Sequence, residues 1–292
     1  MKLFFVMAAM MLLAATSCSN ESEVTVSNAQ TEKAVVPVRV HVGGFRAQTR
    51  AVQDVADYSG VTVLTLAFYS GNTEVLKRTQ TRENLAKSET FGDFELSLPM
   101  GSYTMVVLAY GKTTKEELVL TSPTEAVFTG DHTRETFTAT QEVNITNTSA
   151  VNISATLNRI VAYFQVFSND GRTANVKNIR MTFAAGGKAF NPTTGLATNN
   201  NGFSNTVNIS NEVGHATASG TYLFLSSDEQ AIDVTIETLD ADGNILFSKT
   251  IEDVSFRRNC ITKLTGSMYT NSAITTAFQM ETAWLEQYES NF

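Results

Sequence analysis

Val36-Pro37-Val38-Arg39-Val40-His41-Val42 sets four valines on one side of an extended chain and Arg39 and His41 on the other. Side chains alternate across a strand with a period of two, so one face of this segment belongs in a core and the other in water. The signature recurs along the sequence. Residues 61–69 and 103–110 are nearly unbroken apolar runs, which predicts strands covered on both faces. Shorter strands are expected at 118–120, 134–139, 151–156, 160–167, 178–184, 206–209, 221–225, 231–239, 245–251 and 261–269, with a last one at 274–284. Val, Ile, Thr, Phe and Tyr fill them, and Gly/Asn/Asp clusters at 70–72, 169–171, 185–187 and 240–244 separate them. Glycine supplies the positive φ that such tight connections need. Helical pattern is confined to a turn or two at 81–87. The reading is an all-β chain of sandwich type. The polar stretch 144–149 breaks the alternation and is the expected hinge between a β-domain at 35–148 and a second at 149–292.

Upstream of the valines, Lys2 precedes 13 consecutive apolar residues, 3–15. A mature membrane-spanning helix needs about 20; a secretory signal needs fewer. Ala15-Thr16-Ser17-Cys18 follows, and the whole resembles a bacterial lipoprotein signal, with residues 1–17 removed and a diacylglycerol carried on the sulfur of Cys18. The alternative is an ordinary secretory cut that leaves Cys18 as a bystander. Each buried methylene of a lipid chain contributes about 0.8 kcal/mol, so an acylated Cys18 would tether a soluble body to a membrane surface, and in similar Bacteroidales surface lipoproteins that surface is the outer face of the outer membrane. Residues 18–34 read as a polar tether that opens with Glu21 and Glu23.

The 292-residue chain has a formal charge of −8, and without Lys2 it has −9. Nucleic-acid binding needs clustered Lys and Arg to neutralise phosphates; Arg257-Arg258 is the closest approach to such a cluster. The chain has two cysteines, so acylation of Cys18 would leave Cys260 without an intramolecular partner. Cys260 sits in an alternating apolar stretch and reads as a buried structural thiol. His41, His132 and His215 share no metal-type spacing. Asp240-Ala241-Asp242-Gly243-Asn244 has the look of a calcium loop, but an EF-hand needs Gly at its sixth position and Glu at its twelfth. Ile245 and Ile251 stand there, so a hairpin turn is expected. No phosphate-binding glycine motif, paired carboxylate or Ser/His/Asp arrangement is present. No metal, cofactor or catalytic residue is therefore assigned, and the chain reads as a non-enzyme.

Several local patterns resemble one family. Leu98-Pro99-Met100-Gly101-Ser102-Tyr103 resembles the LPxGxY element of transthyretin-like sandwiches. Leu157-Asn158-Arg159-Ile160-Val161-Ala162 resembles the strand that opens the second domain of Bacteroidales fimbrillins. Ala47-Gln48-Thr49-Arg50-Ala51 resembles the segment after their first strand, and Asn259 to Gly266 their C-terminal Asn-x-x-x-x-Leu-x-Gly turn. The resemblance spans the mature chain in order. It implies two tandem transthyretin-like, Greek-key β-sandwich domains and a subunit of a type V pilus, a surface-exposed lipoprotein that contributes to cell adhesion. In stalk subunits of that family an arginine-specific protease cuts after an Arg that follows the first strand, and a neighbouring subunit's C-terminal strand fills the groove. Here the removable strand would be 35–45, with Val36, Val38, Val40 and Val42 facing the groove, and Arg46 or Arg50 the scissile residue. Ile274, Thr276, Phe278, Met280 and Trp284 share one face of the last strand, as a donor requires; an ordinary final strand would look the same. Partners would be other pilus subunits, self or homologous, and ligands on host or bacterial surfaces. A cut stalk subunit and an uncut, lipid-anchored one both remain open. The second reading is a monomeric surface lipoprotein that binds glycan through Phe183, Phe190, Phe203, Tyr222, Phe224 and Trp284.

Overall fold

Alternating apolar residues make strands, and turn clusters between them fix where each strand stops. The computed structural model describes residues 34–45, 54–112, 117–130, 132–210 and 212–269, and the backbone of 279–284. The first half holds β1 (Val35–Phe45), β2 (Val63–Ser70), β3 (Thr73–Thr81), β4 (Asp93–Pro99), β5 (Gly101–Tyr110), β6 (Glu117–Ser122), β7 (Glu125–Thr129) and β8 (Thr136–Ile145). Then come β9 (Val151–Arg159), β10 (Ala162–Ser168), β11 (Asn178–Phe183), β12 (Ala189–Phe190) and β13 (Phe203–Asn208). The last are β14 (Ala218–Leu223), β15 (Glu229–Leu239), β16 (Ile245–Arg257), β17 (Cys260–Gly266) and β18 (Gln279–Trp284). A 3-10 turn at Arg82–Asn84 stands where the short helical pattern was expected, and there is no α-helix among the described residues. The chain is all-β, as the alternation indicates.

Strand order in the largest sheet is β3-β2-β5-β8-β9-β1-β4. β8 and β9 pair only at Phe137↔Arg159 and Thr138↔Asn158. The sheet therefore folds over at this joint, and its two arms close on one core built from β1, β4 and β9 against β2, β5 and β8. A second core lies between the sheets β14-β10-β17-β18 and β13-β11-β15-β16. A third sheet, β12-β7-β6, covers the outer face of β2 and β5 with Leu118, Leu120, Ala126 and Phe128, joined there by Ile160, Val161, Phe190 and Phe224. β2 and β5 are thus apolar on both faces because both faces are covered, which is why they read as continuous apolar runs.

Two expectations shift. The division expected at 148/149 falls in the connection between β8 and β9, two strands of one sheet, and Asn144 and Ile145 lie inside β8. The first core runs on to Leu157 and the second starts at Ala162. Moreover β12 pairs with β7 across that division. Finally, β3, β4, β7 and β12 are strands that the alternation did not single out. The LPxGxY element has a local cause: β4 turns into β5 within it, and the Tyr103 hydroxyl folds back to donate to the Pro99 carbonyl at 2.6 Å.

Candidate functional site

β1 is an inner strand. It pairs parallel with β9, from Val38↔Val151 to Phe45↔Leu157, and antiparallel with β4, from Val35↔Pro99 to His41↔Asp93. Pro37, which has no N–H to give, sits before the β9 pairing begins, where its missing donor is tolerated. Val36, Val38, Val40 and Val42 are each at most 1% exposed. Burying a valine stabilises by roughly 1.5–3 kcal/mol, so the four together contribute on the order of 10 kcal/mol. An empty slot is consequently no resting state; whatever displaces β1 must bring comparable apolar area.

The outer face of β1 adds little. Arg39 Nε lies 3.2 Å from Glu95 Oε1 and His41 Nδ1 2.6 Å from Asp93 Oδ1, both across to β4 and both exposed. Solvent-exposed side-chain contacts of this kind are worth less than about 1 kcal/mol. The hold on β1 is therefore apolar packing and ladder hydrogen bonds, which any strand of matching pattern can reproduce.

The end of the slot is shaped by residues from elsewhere. Val42 N donates to the Gly92 carbonyl at 2.9 Å. Gly92 has φ +104, and a Cβ there would meet Val55 Cγ1 at 2.9 Å and the Val42 carbonyl at 3.0 Å, so only glycine fits. Phe45 packs on Tyr58 and Phe137, with ring centroids 5.0 and 4.5 Å away. Beyond it, Arg82 pins the loop at 55–61. Its guanidinium donates to the carbonyls of Val61, Ala56, Val55 and Tyr58 at 2.6, 2.9, 2.7 and 3.0 Å. It also lies 4.2 Å from the Phe91 ring centroid. The chain on the far side of residues 46–53 is thus fixed to the body by contacts that do not involve β1.

Arg46 and Arg50 lie in that 46–53 interval, outside the described residues, as do Cys18, Ile274, Thr276 and Phe278. Met280 and Trp284 fall in β18, whose backbone pairs with β17 at Leu264 and Cys260 respectively. Among the described strands β18 has one neighbour, β17, and stands at the edge of its sheet. Sequence reasoning missed β4, the antiparallel wall of the slot, although Phe94-Glu95-Leu96-Ser97-Leu98 alternates plainly. It also missed Arg82 and Gly92, which carry no local pattern.

Cys260 and Asp240 serve the fold. Cys260 is buried, and burial pushes its thiol up to about 11. Asp240 closes its own turn: Oδ1 accepts from the backbone N–H groups of Asp242 and Asn244, and Oδ2 from the Asn244 side chain. The Asn244 amide leads the contacts that hold this carboxyl below the usual range. Among the described residues, no three His, Cys, Asp or Glu side chains come together as metal ligands. Phe183, Phe190 and Phe224 are buried, stacked on Phe203 (5.1 Å from Phe183) or on each other (4.3 Å), and offer no face to a sugar. Three of the six aromatics of the glycan reading are therefore core, Phe203 and Tyr222 are half-buried, and the side chain of Trp284 lies outside the described residues.

The model of a family described as a family of unknown function, DUF6562, matches residues 24–288. No curated protein matches the chain. Among solved structures, a Bacteroides ovatus protein provisionally assigned as an adhesin superposes with a TM-score of 0.50 at 13% identity, covering 82% of this chain and 88% of that one. Another Bacteroides ovatus protein with the same provisional assignment gives 0.50 at 10% identity, over 85% and 96%. The fimbrial anchor protein Mfa2 of Porphyromonas gingivalis gives 0.49 at 12%, over 86% and 98%. At these identities the likeness to the Bacteroides ovatus proteins is one of fold, and that fold is the all-β one expected from the fimbrillin resemblance.

Proposed function

The chain belongs to the DUF6562 family, and from the seating of β1 we propose that it is a structural subunit of a surface fimbria, assembled by strand exchange and contributing to adhesion. The observation that carries this reading is that β1, the first of the described strands, occupies an inner slot, held by a repeating valine face and by ladder hydrogen bonds, with only solvent-exposed side-chain contacts on its outer face. Cleavage at Arg46 or Arg50 would sever β1 from a body that stays pinned through Arg82. A strand from another subunit would then take the slot by ladder hydrogen bonds and alternate side-chain pockets. The C-terminal strand with Ile274, Thr276, Phe278, Met280 and Trp284 is the donor in this reading, and the edge position of β18 supports it. Acylation at Cys18 would hold the subunit at the outer membrane, until cutting in a stalk subunit or permanently in an anchor. A fold shared with proteins assigned as adhesins is in keeping with a surface role.

The test is assembly with and without the donor. Treated with an arginine-specific protease, the full chain should form ladders that survive heating in detergent, and fibres by electron microscopy. A chain lacking 274–292 should be cut equally and remain monomeric. Ladders formed in equal amount by the shortened chain would refute this donor.

A further inference from the structure

Two of the sequence motifs, far apart in the chain, meet at one point. Arg159, from the 157–162 stretch, donates through Nη1 to Asn259 Oδ1 at 3.0 Å. Asn259 stands at the head of β17 with φ 59, a conformation that asparagine tolerates better than most residues, and its N–H donates to the Val161 carbonyl at 2.8 Å. The same guanidinium meets Glu135 Oε1 through Nε at 2.7 Å, the two side chains being only 8% and 13% exposed. It also covers the Phe137 ring at 4.9 Å. Glu135 Oε2 accepts from the Tyr58 hydroxyl at 2.7 Å. Tyr58 and Phe137 are the two rings on which Phe45, the last residue of β1, is packed.

A continuous set of contacts thus runs from the end of β1 through Tyr58 and Phe137 to Glu135, Arg159 and Asn259. We propose that it makes the hold on the start of β17 depend on whether β1 is seated. With Phe45 in place, rings shield the Glu135–Arg159 pair, and a shielded pair interacts far more strongly than one in water. With Phe45 gone, Phe137 and Tyr58 keep only each other, at 6.0 Å between centroids, and water reaches the charges. A solvated pair orients its members weakly, so Arg159 no longer fixes Asn259. β17 begins at the next residue, and its first position, Cys260, is where β18 ends, opposite Trp284. Departure of one strand from its slot is thereby felt at the sheet edge that carries the other. The relevance to assembly rests on the exchange reading; the coupling is a property of the intact chain and is measured there.

Hydrogen exchange followed by mass spectrometry on the full, uncut protein tests it. Phe45→Ala should speed amide exchange over residues 259–264 by roughly fivefold or more, the scale of a modest coupling between sites. Val38→Ala, at the far end of β1, should speed exchange around residue 38, with Phe45 still seated, and leave 259–264 unchanged. Coupling is reciprocal, so Asn259→Gly, which removes the side-chain acceptor and keeps the positive φ accessible, should speed exchange at Val42 to Phe45. Unchanged exchange at 259–264 in Phe45→Ala would overturn the coupling, as would an equal rise in Val38→Ala, because the effect would then be general loosening. Ladder formation by the wild-type chain is scored apart: its absence refutes strand exchange and leaves the exchange rates to decide the coupling.

Discussion

Gly92 shows how narrowly single positions define the slot. Its φ of +104 and the 3.0 Å approach of the Val42 carbonyl to a would-be Cβ exclude any side chain. Gly92→Ala should lower stability by about 1–3 kcal/mol, the usual range for backbone held in so unfavourable a region, and thermal melting reads it. Arg82 is a second such position. Arg82→Lys keeps the charge but cannot span four carbonyls with a planar fork. Losing even two of those part-buried bonds should cost about 2 kcal/mol, and 55–61 should become the first site of proteolytic nicking. Cys260 gives a chemical readout. Its thiol is pushed up to about 11 by burial, whereas in the unfolded chain the proton leaves near the ordinary value of 9. The stability it contributes is therefore complete below that value and is lost as pH rises toward 11. At pH 8 a thiol reagent should modify Cys260 slowly in the native protein and fast in guanidinium.

β1 separates what packing does from what charge does at the level of one element. Val38→Ala and Val40→Ala should each cost roughly 2 kcal/mol through lost methyl burial and the cavity left behind. Arg39→Ala should fall within about 0.5 kcal/mol of the parent, because its pair with Glu95 is solvated on both sides. Equilibrium denaturation of the three variants distinguishes them. The same contrast explains which elements were legible in the sequence. β1, with one wet face and one dry, writes its burial into the alternation Val-x-Val-x-Val-x-Val. β2 and β5, covered on both sides, appear as unbroken apolar runs. β3 is an edge strand with Val75 exposed and Glu74, Lys77 and Arg78 along it. With neither face well buried, it had no pattern to give. β12 spans two residues and exists through its pairing with β7, a long-range contact that no local window contains. β4 was legible, but its alternation is short and ends in a Pro99 that reads as a turn.

For the whole molecule, the boundary between the halves was the hardest feature to read. Polar 144–149 looks like a linker, yet it joins two strands of one folded-over sheet, and the cores change at Ile160 and Val161, inside an apolar stretch. The slot itself was visible as a valine strand, whereas its walls, β4 and β9, are set by pairing across 52 to 113 residues of chain. The central claim is that in the assembled state β1 is gone from its slot and another subunit's strand occupies it. The direct measurement is mass spectrometry of the N-termini of heat-resistant oligomers extracted from the cell surface. Chains that begin at Ala47 or Ala51 are the expected result, with 35–45 absent from the assembly. Oligomers whose chains all retain 35–45, from an acylated Cys18 onward, would contradict it.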